Sequence, residues 1–141
     1  MPYTFDLLKT TRTADRKWYT GCYGRAERSM KSALREGGPQ TLNIYSRRPS
    51  NGILGFATFP TSYSSQPSLD GVVILDESML GGTAVPYNEG DTLTHEIGHW
   101  LGILFSSVRE MIGHGCQSQS REQIHGANQI TRWGLDSMEK R

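Results

Sequence analysis

His95 and His99 stand four residues apart in "DTLTHEIGHWLGILF", Asp91 to Phe105, and Glu96 follows the first of them. On a helix, positions i and i+4 lie one turn apart on one side, so both imidazoles can reach a single ion about 2 Å from each ring nitrogen. Glu96 sits one step round from His95. From there it reaches a water on that ion without being a ligand, which is what a general base requires. Zinc suits such a pair: it lowers the pKa of a bound water toward neutrality and polarises a carbonyl, while Glu96 takes the proton and later hands it to a leaving amine. The expected chemistry is hydrolysis of a peptide bond. The plainer alternative is a core helix whose histidines are satisfied by backbone carbonyls and whose glutamate is solvated. Gly102, three residues after His99, can stop the helix and turn the chain back toward the ion, and a glycine-rich loop precedes the helix. Both features favour the metal-binding reading.

The helix carrying these residues is expected to bury Leu93, Ile97, Trp100, Leu101 and Leu104, with Asp91 capping its first turn. Upstream, "YTFDLLKT" alternates as a strand does and "TRTADRK" reads as a loop. From Cys22, "CYGRAERSMKSALREGG" puts Tyr23, Ala26, Met30, Ala33 and Leu34 on one helical face and charged residues on the other, and Gly37-Gly38 ends it. The segments "TLNIYS", "GILGFATFP" and "GVVILDES" are then three strands of one sheet. Val72 to Leu75 is apolar on both faces and so internal, whereas "GFATFP", alternating and closed by a proline, belongs near an edge. "MLGGTAVPYNEGD" is the loop that delivers the chain to the histidine helix. The order of strand, helix, three strands and helix is α+β or α/β in kind.

A chain of 141 residues is the size of one domain but short for a protease that needs two lobes around a cleft. Fifteen Lys and Arg against 14 Asp and Glu give a net charge of +1. No basic block stands out that would call for a nucleic acid or an anionic membrane. "MPYTFDLLKTTRTADRKW" lacks the pattern of a secretory signal, and no stretch has the apolar length of a membrane helix. Cys22 and Cys116 permit one disulfide, and two unpaired thiols fit equally well. Composition changes after about residue 102: four of the six glutamines lie beyond it, with no sustained period of either kind. The expected division is therefore 1–105 as the structured part and 106–141 as a divergent tail.

The motifs "WYTGCYGRAERSMKSALREGG", "LNIYS", "LGFATFP", "DGVVIL" and "GGTAVPYNEGDTLTHEIGHWLG", in this order, resemble the pappalysin-type metzincins, most closely the secreted fungal metalloproteases of that group. The resemblance covers roughly residues 3 to 102. It implies an α+β fold, the upper subdomain of such a protease. A mixed twisted sheet would be backed by a helix and carry the zinc helix, with the lower subdomain missing or unrecognisable. Segment 1–105 would be the N-terminal part of the catalytic domain. It also implies a zinc cofactor, endopeptidase activity outside the cell, and a protein or peptide substrate laid along an edge strand; a monomer is expected. His95 and His99 match the first two metal ligands and Glu96 the general base. Family members are made with a signal and a propeptide, and this chain begins inside the mature domain.

The family's third histidine falls at Phe105, which has no lone pair to give. Met111 and Met138 lack the surroundings of the family's methionine turn. A truncated or mis-spliced product, or a change of frame near Ile103, would account for the loss, and sequencing the transcript across that codon tests it. If a four-ligand zinc site is worth roughly 10 to 16 kcal/mol, one ligand accounts for about 3 to 4, or two to three decades of affinity. His114, Cys116 or His125 could fill the vacancy, and Glu110 less well; the plainer reading of each is an ordinary tail residue. The competing functional reading is a non-catalytic fragment or a peptide-binding pseudoprotease.

Overall fold

The computed structural model describes residues 3–21, 24–49, 52–104 and, as backbone, 128–135. Five strands form one sheet: β1 (Phe5–Thr13), β2 (Thr41–Arg47), β3 (Gly55–Ala57), β4 (Val72–Leu75) and β5 (Asn128–Leu135). Their spatial order is β1-β5-β2-β4-β3. β2 and β4 run parallel, with Ile44 opposite Val72, and every other pairing is antiparallel. The sheet is thus mixed, and with its helices the architecture is α+β. β4 is internal and β3 is an edge strand, as the continuous apolar run of the one and the alternation of the other imply.

Alternation along β2 and β4 feeds two cores, one on each face of the sheet. Leu42, Ile44, Val72 and Ile74 project to one face, where they bury Trp100 of α3 (Asp91–Trp100). Tyr45 and Val73 project to the other, against Met30 of α2 (Arg25–Leu34). The zinc-type motif therefore rides on a helix packed flat on the sheet, with α2 on the opposite side.

α2 turns a different face inward from the one its apolar spacing suggests. Glu27, Met30 and Lys31 are buried while Ala33 is exposed. The reason is that the buried charge is satisfied. Lys31 Nζ lies 2.9 Å from Glu27, donates to the Leu69 carbonyl at 2.8 Å, and sits over the rings of Tyr45 and Phe56. Burial pulls the Lys31 ammonium below its ordinary pKa, and the Glu27 carboxylate opposes that.

Three further differences from the sequence reading have local causes. β1 runs on to Thr13, and the rest of the expected loop leads into α1 (Arg16–Thr20), whose first turn is capped by the Asp15 carboxylate accepting from the Trp18 amide at 3.0 Å. Asp91 is the first residue of α3 rather than its cap: Gly90, at φ 93°, holds that position. Within 106–141, residues 128–135 form β5 between β1 and β2. Backbone pairing on both sides sustains that strand, so it leaves no periodic signature in a mixed sequence. Cys22, Tyr23, Phe105, Glu110, Met111, His114, Cys116, His125 and Met138 lie outside the described residues.

Candidate functional site

α3 is a ten-residue helix that starts at a left-handed glycine and stops at another. Gly102 has φ 92°. Its amide donates to the His99 carbonyl at 2.9 Å, and the Ile103 amide donates to the Gly98 carbonyl at 2.9 Å. Those two bonds make a Schellman end, which needs a residue that enters the left-handed region without penalty. The turn has a second product: the Ile103 carbonyl folds back to lie 3.0 Å from His99 Nδ1. With Nδ1–H donating there, Nε2 is left as the lone-pair nitrogen, the tautomer a metal ligand requires.

His95 and His99 are brought together edge to face, their ring centroids 4.5 Å apart and their Nε2 atoms 2.9 Å apart. Two metal–nitrogen bonds of about 2.0–2.1 Å spanning that separation would meet at roughly 90°, and a few tenths of an ångström of opening reaches the tetrahedral angle. The donor pair thus fits a zinc ion. Phe59, at the end of the segment leaving β3, packs its ring 5.2 Å from that of His99 and limits where the imidazole can swing. Burial, with the neighbouring His99 adding to it, pushes His95 below the ordinary histidine pKa and favours its neutral, ligating form. Among the described residues no third His, Cys, Asp or Glu joins the pair.

Glu96 is buried, at 8% exposure, on the side of α3 that meets β3. The small residues of that strand make the approach possible: Gly55 faces Glu96, and Ala57 packs into the core around Trp100. Trp100 is fully buried and donates its indole N–H to the Asp70 carboxylate at 3.0 Å. Thr58 donates to the same oxygen at 3.1 Å, and Arg35 approaches the other at 3.5 Å. Asp70 therefore ties α3 to the turn that enters β4. Leu93, Ile97 and Leu101 pack on the core as their spacing predicts. Leu104 does not: it lies past the glycine turn and is 80% exposed, because the helix has ended four residues earlier.

Gly55, Phe59 and Asp70 were not singled out by sequence reasoning. A glycine inside a strand is a signal for close approach by another group, whereas nothing local to Asp70 or Phe59 announces a partner 30 or 40 residues away. No helix among the described residues is long and apolar enough to cross a membrane.

No protein-family model matches the chain. Among curated proteins it is similar to an extracellular metalloprotease of Verticillium alfalfae, 43% identical over 102 residues, which are 70% of this chain and 36% of the relative. It is also similar to extracellular metalloprotease 1 of Coccidioides posadasii, 37% identical over 114 residues, 79% of this chain and 40% of the relative. The chain thus spans little more than a third of the length of the curated relatives it matches. Among solved structures, mature mirolysin of Tannerella forsythia in complex with a cleaved peptide aligns at 32% identity and a TM-score of 0.46, over 64% of this chain and 33% of mirolysin.

Proposed function

We infer that this chain carries the metal helix and edge strand of a zinc-dependent endopeptidase of the pappalysin type, secreted and acting on protein or peptide substrates. The observation that carries the reading is the 2.9 Å convergence of the His95 and His99 Nε2 atoms beside a buried Glu96. The similarity to extracellular metalloproteases supports the same activity and location. His95 and His99 would hold the zinc. When bound, the metal supplies acidification of a water and polarisation of the substrate carbonyl.

The chain's own residues do the rest. His99 is held in its ligating tautomer by the Ile103 carbonyl, and Phe59 confines its ring. The Glu96 carboxylate accepts the proton of the attacking water and returns it to the departing amine nitrogen. Its position against β3 keeps it out of bulk water and next to the strand that ends the sheet among the described residues, and a sheet edge suits an extended peptide. Phe105 at the family's third-ligand position favours a second reading, a non-catalytic fragment or peptide-binding pseudoprotease.

Zinc content and proteolysis measured together decide between the two. Stoichiometric zinc with casein cleavage is expected, and Glu96→Ala should lower kcat by about 100-fold or more with zinc content unchanged. Less than about a tenth of an equivalent at micromolar zinc removes the enzyme reading. Cleavage that survives Glu96→Ala belongs to a contaminant.

A further inference from the structure

Glycine weakens a strand, because it adds backbone entropy to the unfolded chain and offers no side chain to pack. Gly55 nevertheless opens β3, and no left-handed backbone angle demands it there. What demands it is space. A Cβ built on Gly55 would fall 2.9 Å from Glu96 Cγ, closer than real carbon atoms come, and 3.1 Å from both Ile74 Cδ1 and the Val73 carbonyl oxygen. Two of those three neighbours belong to β4, the strand paired beside β3 in the sheet. The Val73 oxygen is backbone and Ile74 is locked in the core, so the strain of the closest contact falls on Glu96, the general base of the proposed reaction.

We propose that Gly55 is a positioning residue, whose missing side chain is the seat of the Glu96 methylenes and so sets how far the carboxylate reaches past His95. The proposal rests on the peptidase reading for its consequence but on geometry alone for its cause. A methyl group at position 55 would press on Cγ and tilt the carboxylate away from the point where the two imidazoles converge. A misplacement of about 1 Å at a reacting group can cost about 100-fold in rate. None of the three atoms nearest the added Cβ belongs to His95 or His99, so the metal ligands should be untouched.

The test uses the whole chain. In metal-free protein, Gly55→Ala is expected to lower the folding equilibrium constant roughly tenfold by overpacking. In the Glu96→Ala background, where Cγ is gone, the same substitution should cost at least about threefold less. Equal penalties in the two backgrounds would overturn the proposal. In the zinc-loaded chain, Gly55→Ala should lower kcat about 10- to 100-fold with KM and zinc affinity within about twofold of the parent. A loss confined to KM, or a matching fall in zinc affinity, would also overturn it. Zinc binding without proteolysis in the parent removes the peptidase reading instead, and the stability comparison still decides whether Gly55 seats Glu96.

Discussion

Trp100 anchors α3, the helix that carries His95, Glu96 and His99, through a buried hydrogen bond. Its indole is fully buried, and its N–H meets a carboxylate that is itself only 1% exposed. Replacing the ring leaves Asp70 buried with one donor fewer, and a hydrogen bond to a charged group is worth about 1.5–3 kcal/mol. Trp100→Phe is therefore expected to destabilise the chain by about 2–4 kcal/mol, read as a shift in the urea midpoint at unchanged slope. Asp70→Asn, which keeps an acceptor oxygen, should cost less. At this scale the sequence makes legible what local spacing relates. The i, i+4 spacing of His95 and His99 and the adjacent Glu96 are legible because one helical turn relates them. Asp70 and Gly55 are not, since their roles appear only when β3, β4 and α3 are stacked.

Among the elements, α3 depends on how it ends as much as on its stripe. Gly102 at φ 92° gives the Schellman turn, and that turn brings the Ile103 carbonyl to His99 Nδ1. Gly102→Ala should cost about 1–2 kcal/mol for the left-handed conformation, measured by thermal unfolding. On the zinc-peptidase reading it should also weaken zinc binding about 10-fold, because the carbonyl that orients His99 is displaced. Gly102→Asn, which tolerates that region, should recover much of both. The same turn explains why the apolar spacing was misleading at Leu104, where helical periodicity was extended past the point at which the helix stops. In α2 the error ran the other way: Glu27 and Lys31 were expected outside, but a charged pair that satisfies its own hydrogen bonds can face inward.

At the level of the whole molecule, large apolar side chains crowd the segments on either side of α3. Leu80, Val85 and Tyr87 are 83, 76 and 55% exposed before it, and Leu104 is 80% exposed after it. Such surface favours self-association, so the chain is expected to bind an environment-sensitive apolar dye and to scatter light on warming. Leu80→Gln with Leu104→Gln should slow that aggregation at least about twofold without changing the far-ultraviolet spectrum. The order of strands and helices was largely readable from local pattern, whereas β5 was not, because its place is secured by partners on both sides rather than by its own composition. That place has a temporal side. β5 begins about 80 residues after β2 ends and is β1's sole partner among the described strands. At roughly 5–20 residues per second of synthesis, β2 waits on the order of 4 to 16 s for the neighbour that will cover its flank. During that interval the half-made sheet is open to whatever strand arrives first, so what accompanies the emerging chain bears on its yield as much as any contact in the finished fold.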